Sequence, residues 1–418
     1  MGLCGCANKR GDWAKRAFLC ALGLCFAFGY NTLYAHFIKA PNDALLGTQD
    51  TVEVELLGYA EETSHGAKVT VKIMDRGLSG RAIYYGDAEL LDLAPGAHVT
   101  AEALFNSATD PTGKGLHLRN FTAKGVYILL YQRGEPSYDE ANAGAMRYLP
   151  QRIARFCKNA VSAALPEREA GLLRGLLLGD RTGMSDDDTL SFRMAGLSHL
   201  VAVSGLHVGY LAAFCFVLLG RKWGVYLSLP LILLFVPVAG ATPSVIRAAV
   251  MYGITALGFI LRRDVNPKLS LMAALALLLL LNPYAAAGAG LQLSFSATLG
   301  LILFASSMQH RLLAPFAECA RLTRRLLAFP AGALSCTVCA SIFTLPVSLA
   351  CFGRASLLSL PANLPAAALT GVCFVFGYLL CAVSAFCPAV LPVFAVPLRL
   401  MLRFLLILAE RISLLPFG

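Results

Sequence analysis

Long apolar runs recur along most of this chain, and no other feature constrains its fold as much. Leu269–Leu281, Ala328–Ala350 and Leu391–Ala409 approach or reach the ~20 residues that cross about 30 Å of hydrocarbon. Only 14% of the 418 residues are charged and 57% are hydrophobic, where soluble domains carry about 25% charged residues. The pattern defines an α-helical polytopic membrane protein. Candidate spans lie near 17–38, 199–219, 224–240, 244–261, 269–281, 291–307, 328–350, 357–385 and 389–413, the segment 357–385 being one long or two short spans.

Charge divides the chain further. Residues 39–147 hold about ten basic and about fifteen acidic side chains, while the remainder has a clear basic excess. That excess falls in loops between spans, where Lys and Arg set topology, so it does not by itself point to nucleic acid. The tail 1–16 carries Lys9, Arg10, Lys15 and Arg16 against Asp12, and the run 17–38 is long for a cleaved signal. The expected arrangement is a cytoplasmic N-terminus in the cell (inner) membrane, with the next domain outside.

That domain, 42–138, alternates apolar and polar residues at Thr51-Val-Glu-Val-Glu-Leu-Leu and Lys68-Val-Thr-Val-Lys-Ile, the period of half-buried strands. Ala82–Tyr85, His98–Phe105 and Gly125–Tyr131 add three more. Five short strands predict a small β-barrel, with an OB-fold as the leading form. Residues 139–165 predict an amphipathic helix that either lies in the membrane interface or packs on the soluble domain. The multi-helix domain then runs over 166–418.

The thirteen cysteines mostly follow apolar sequence, and none falls between Ala40 and Gln151. Cys336 and Cys339 form one C-x-x-C with no second pair or nearby His, so neither a metal nor a disulfide framework is expected. Asp110-Pro-Thr-Gly-Lys-Gly is a turn and lacks the first glycine and terminal Ser/Thr of a phosphate loop. No cofactor is expected.

Four stretches place polar groups within apolar sequence, where they are costly and face a pathway or a partner. The first contains Asp180, Arg181, His199, Ser204 and His207. In the second, Thr242 and Pro243 read as the N-cap and first residue of a helix that carries Arg247 one turn in, a suitable anion site. The third sets Gln292, Ser294, Ser296 and Thr298 in a polar stripe, either pore lining or interhelical glue. The fourth, Thr344–Ser356 and Pro361-Ala-Asn-Leu-Pro, predicts broken helices with Asn363 as a cap or a pathway group. Ser204 with His207 also permits a membrane hydrolase, although no G-x-S-x-G elbow or acidic partner accompanies them. A transporter of small solutes or lipid-linked anions is the other alternative.

Taken in order, Gly179-Asp-Arg, His199-Leu-Val-Ala-Val-Ser-Gly-Leu-His-Val-Gly, Pro243-Ser-Val-Ile-Arg-Ala, Leu291-Gln-Leu-Ser-Phe-Ser-Ala-Thr-Leu-Gly, Leu345-Pro-Val-Ser-Leu and Asn363-Leu resemble the ComEC family of competence proteins. The resemblance implies an external OB-fold domain and a membrane channel that passes one DNA strand into the cytoplasm in natural transformation. It implies no catalytic residue in this chain. Asp180, Arg181, His199, Ser204, His207, Arg247, Gln292, Ser294 and Asn363 become candidates for the DNA pathway, and Lys114, Arg119 and Lys124 for external DNA contact. Tyr84, Tyr85, Phe105, Phe121, Tyr127 and Tyr131 are candidates for base stacking, although several must serve the barrel core. No H-x-H-x-D-H motif of the family's metallo-β-lactamase-like domain occurs, and no nucleotide-binding motif. A separate nuclease, a motor ATPase and a DNA receptor are therefore expected in trans. Self-association of the channel in the lipid bilayer belongs to the same expectation.

Overall fold

The computed structural model describes residues 21–64, 66–74, 80–108, 121–140, 145–316, 321–353 and 359–414. These form two compact units, Met1–Ala145 with Asn282–Ala285, and Met146–Leu281 with Ala286–Gly418.

The first unit opens with a helix, α1 (21–34), that runs on through a wide π-type turn at Ala35–Lys39. Leu24, Phe26, Phe28 and Phe37 stand exposed around it, as suits a lipid-facing helix. Seven strands follow among the described residues: β1 (Gln49–Leu56), β2 (Glu61–Thr63), β3 (Gly66–Ile73), β4 (Arg81–Gly86), β5 (His98–Ser107), β6 (Val126–Gln132) and β7 (Ser137–Asp139). Five of them close on themselves in the order β1-β3-β4-β6-β5, with β5 returning to β1. All contacts around this ring are antiparallel except β4 with β6, which run parallel with Tyr84 opposite Leu130. This is the five-stranded, OB-like barrel that the alternating residues predict, and it has no open edge between the five strands.

Alternation also decides what fills the barrel. Val52, Val54 and Leu56 face inward from β1, as do Val69, Val71, Ile73, Val99, Ala101, Phe105, Ile128 and Leu130 from its neighbours. Tyr84, Phe105 and Tyr127 are buried in this core, so they cannot stack on bases. Tyr85 and Tyr131 lie on the outer face instead, stacked at 4.9 Å with 7° between their planes, beside half-buried Phe121. Lys124 is exposed, whereas Lys114 and Arg119 lie outside the described residues.

The second unit is helical: α2 (Leu149–Ala164), α3 (Glu167–Leu178), α4 (Asp186–Met194) and α5 (Ser198–Val201) precede the long apolar segments. The helical run Gly205–Val238 breaks at Gly220, whose φ of 69° favours glycine. There the chain doubles back, because a Cβ on Gly224 would fall 2.9 Å from both the Cys215 carbonyl oxygen and the Phe216 Cα. Its halves are α6 (205–219) and α7 (221–238). Next come α8 (Pro243–Ile260), α9 (Pro267–Leu281), α10 (Ala289–Gly300, continued to Leu313), α11 (Arg321–Phe352), α12 (Ser359–Phe386) and α13 (Leu391–Ser413). Among the described residues, six helical segments are long and apolar enough to cross a membrane: Gly205–Val238, Pro243–Ile260, Ala289–Phe316, Arg321–Cys351, Ala362–Phe386 and Leu391–Ser413.

The core forms around α3, where Leu172, Leu173, Leu176 and Leu177 are all buried, against Val201, Phe374, Leu398 and Leu402. Cys157, Ala160 and Val161 bring one face of α2 into the same core, so this helix packs within the helical unit. Segment 357–385 contributes one long helix. α11 ends at Phe352, within the stretch Thr344–Ser356, but Pro346 and Pro365 sit inside α11 and α12 without themselves ending them, contrary to the break expected at 361–365. Each proline removes a single backbone donor, and neighbouring helices hold the rest of the ladder in place. Breaks at Ala202–Ser204, Ala239–Thr242 and Gly288 fall where polar residues interrupt the apolar runs.

Candidate polar pathway in the helical unit

The break after α5 leaves Ser204 extended, at φ −135° and ψ 177°, as the N-cap of α6. Its hydroxyl accepts from the Leu206 N–H at 3.3 Å, and its own N–H donates to His207 Nδ1 at 3.1 Å. This is a capping box in which His207 takes the place of the usual Glu or Gln. Nδ1 must then be unprotonated, which puts the proton of the neutral ring on Nε2. That atom is buried without a hydrogen-bond partner among the described residues, and the ring stands edge-on to Phe374 at 5.1 Å. The Ser204 hydroxyl is also 3.3 Å from Nδ1, the contact a hydrolase would need. No acidic group orients the ring among the described residues, and the capping bond already occupies Nδ1.

Thr242 has the backbone of an N-cap, at φ −64° and ψ 150°, and Pro243 begins α8 as its sequence predicts. The Thr242 hydroxyl makes no capping bond and is buried without a partner among the described residues. Arg247, one turn in, is 8% exposed. Its Nε donates to the Ser294 hydroxyl at 2.8 Å, and its Nη1 to the Thr298 hydroxyl and to Met251 Sδ at 3.8 Å. Ser244 joins the cluster through Ser294 at 2.9 Å. Two of the four stripe residues on α10 therefore solvate one guanidinium. Gln292 turns away and closes the turn before α10 by donating to the Ala286 carbonyl at 2.9 Å.

His199 sits on α5 with Nδ1 3.1 Å from the Gly196 carbonyl oxygen and Nε2 3.2 Å from Asn363 Oδ1. Asn363 donates onward to the Thr337 hydroxyl at 3.0 Å. It lies inside α12, so it caps no helix; it ties α5, α11 and α12 together. Thr337, like Lys158 below, carries no motif of its own that would mark it in the sequence.

Asp180 and Arg181 follow α3 in a tight turn. Asp180 accepts from the Thr182 N–H at 3.0 Å and hydroxyl at 2.6 Å, and pairs with Lys158 of α2 at 2.8 Å. Arg181 donates to the Ser198 carbonyl at 3.3 Å, which fixes the start of α5. Burial alone would push the Asp180 carboxyl up; Lys158 and the Thr182 donors outweigh it and hold the group below the ordinary carboxylate range. Its stabilising contribution is therefore complete above about pH 4 and is lost as the pH falls further. Asp180→Asn should lower the thermal midpoint of the purified protein at pH 7, and the difference from wild type should close on acidification below pH ~4. A difference that persists at low pH would refute this linkage.

The Arg168–Asp188 pair lies elsewhere. Arg168 grips Asp188 through Nε and Nη2, the shorter contact being 2.7 Å, and reaches Glu410 at 3.4 Å. A cavity of about 360 Å³ opens beside them, lined by Arg168, Ser185, Asp187, Asp188, Ser191 and Glu410. None of the residues selected from the sequence lines it.

These features define a multi-pass membrane protein whose buried polar groups gather at broken helix starts inside the bundle. The family profile described as "Competence protein" matches residues 176–418, more than half of the chain, and the chain belongs to that family. It is 33% identical over 169 residues to "ComE operon protein 3" of Bacillus subtilis (strain 168). That alignment covers 39% of this chain and 22% of the relative, so the match spans about a fifth of that protein. No solved structure matches the chain.

Proposed function

We propose that the chain takes part in DNA uptake by competent cells, as the membrane conduit that passes one strand into the cytoplasm. The observation that carries this reading is Arg247, a nearly buried cation solvated by hydroxyls in a bundle poor in carboxylates. A polyanion crossing ~30 Å of bilayer needs such a polar, locally basic lining. Arg181, His199, Ser204, His207, Ser294 and Asn363 extend that lining, with Asp180 and Gln292 shaping the turns beside it. Lys124, together with Lys114 and Arg119, offers a first contact outside, and the Tyr85–Tyr131 stack a flat apolar surface. A receptor, a nuclease and a motor ATPase supply capture, degradation of the second strand and driving force.

Deleting the gene in a transformable host should leave duplex DNA bound at the cell surface while internal single strands disappear. Unaltered uptake in the deletion strain rejects the conduit. A transporter of phosphate-bearing lipids or solutes then becomes the better use of the same lining.

Topology follows from the loops. Arg221 and Lys222, then Arg262, Arg263 and Lys268, then Arg311, Arg321, Arg324 and Arg325 flank alternate connections. The intervening connections 239–242 and 282–288 carry no charge. By the positive-inside bias the basic loops face the cytoplasm, as does the basic N-terminal tail, and the barrel stands outside. In intact cells a membrane-impermeant maleimide should label Lys124→Cys above the wild-type background and leave Lys222→Cys shielded until the membrane is opened. The reverse pattern overturns this topology.

A further inference from the structure

Four carboxylates of the helical unit are already paired. Among the described residues, Asp180 pairs with Lys158 at 2.8 Å, Glu169 with Arg399 at 3.7 Å, and Asp188 and Glu410 with Arg168. Glu167, Asp186, Asp187 and Asp264 are exposed. Between Asp188 and Glu410 the sequence contains only two acids, Asp264 and Glu318. Arg247 thus sits nine-tenths buried with no carboxylate in reach among the described residues. Hydroxyl dipoles satisfy its Nε and Nη1 but leave the net charge uncompensated, a costly arrangement in an apolar bundle.

The third nitrogen, Nη2, has no hydrogen-bond partner among the described residues. It lies beside Gly205, the first residue of α6: a Cβ there would fall 2.9 Å from Nη2 and 3.1 Å from the Ala248 side chain. An unpaired guanidinium donor therefore lies against the start of a helix, where the backbone dipole also favours an anion. Ser244 and Ser294 add two hydroxyls 2.9 Å apart on the same cluster. The guanidinium and the hydroxyls come from two elements, α8 and α10, with the start of α6 against them. Such a set suits a tetrahedral oxyanion better than a planar carboxylate.

We propose that Arg247, with the start of α6 at Gly205 and the Ser244–Ser294 hydroxyls, is a binding site for one phosphate ester. The anion supplies the counter-charge that the protein withholds. This deepens the conduit reading and rests on it only for the source of the phosphate, which is either the backbone of a DNA strand or a phospholipid headgroup.

The test uses the full chain in nanodiscs of zwitterionic lipid, titrated calorimetrically with inorganic phosphate and with a short oligothymidylate. Arg247→Gln should weaken both by at least about tenfold, with Arg247→Lys intermediate. Should Arg247→Gln fail to fold, Gly205→Val provides the second variant, since it crowds Nη2 from the start of α6 while keeping the positive charge. A matching loss is expected there. Weakened phosphate binding together with loss of co-purifying anionic phospholipid, but unchanged oligothymidylate binding, supports the site and assigns its phosphate to the bilayer. Unchanged binding of every probe in a folded Arg247→Gln or Gly205→Val protein overturns the site. The conduit reading is judged separately, by single-strand uptake in the deletion host, and survives that outcome.

Discussion

Arg247→Ala should cut the delivery of single strands to the cytoplasm by about a hundredfold at matched membrane levels, with surface binding of duplex unchanged. On the conduit reading, every nucleotide that passes brings one phosphate through the bundle, so a single site acts on each step of transport. Truncating one member of a buried charge contact costs about 2–5 kcal/mol, and about 3 kcal/mol on a barrier is roughly a hundredfold in rate. Hydroxyls remain at Ser244, Ser294 and Thr298, but neutral donors are about half as strong as charge-assisted ones. Arg247→Lys should therefore recover part of the flux, since it restores charge without the planar fork. The experiment follows labelled duplex in the native host, counting protected single strands inside the cell. Normal uptake in a well-expressed Arg247→Ala strain removes this residue from the conduction path. Equal loss in the Lys and Ala variants would instead point to a structural tie between α8 and α10.

Which parts of this site can be read from sequence follows from how local their causes are. Period-two alternation marks β1 and β3 directly, because each strand has one face in the core. Barrel closure has no such local mark: β4 and β6 pair in parallel across a long excursion, and only the assembled sheet brings Tyr84 opposite Leu130. The helix start at Pro243 is legible because a proline at the first helical position fixes its own backbone, a cause confined to one residue. Arg247, Ser294 and Asn363 attract attention for the same reason, as polar groups in apolar sequence. Their partners do not. Arg247 finds Ser294 across 47 residues and His199 finds Asn363 across 164, distances at which nothing in the pattern selects one hydroxyl over another. The prolines of α11 and α12 mislead for the opposite reason. Locally each argues for a break, and packing by neighbouring helices overrules it. Gln292 shares the stripe's spacing yet serves the preceding turn, since near the helix start its side chain reaches back to the Ala286 carbonyl.

The second large effect concerns a residue with no polar chemistry at all. Gly171→Leu should destabilise the helical unit by about 3 kcal/mol or more and abolish the function that depends on the turn after α3. Gly171 is buried at the middle of α3, and a Cβ there would collide with the Gly183 carbonyl group. Backbone meets backbone at this point, so the strain cannot be relieved by rotating a side chain. Gly183 is confined in turn, because a Cβ on it would strike the Arg174 guanidinium. The segment 179–185 is therefore held down on α3 by two glycines. That contact positions Asp180 for Lys158, Arg181 for the Ser198 carbonyl, and Ser185 as the N-cap of α4. Lifting the segment breaks these together and frees α5, on which His199 is mounted. The check is thermal unfolding of the purified protein beside Gly220→Ala, which perturbs a remote turn. Gly171→Leu should melt well below wild type and lose protection from proteolysis first within 179–198. A melt within a degree or two of wild type would mean that α3 and this turn can separate at little cost, and that the close glycine contact does not hold the polar cluster in place.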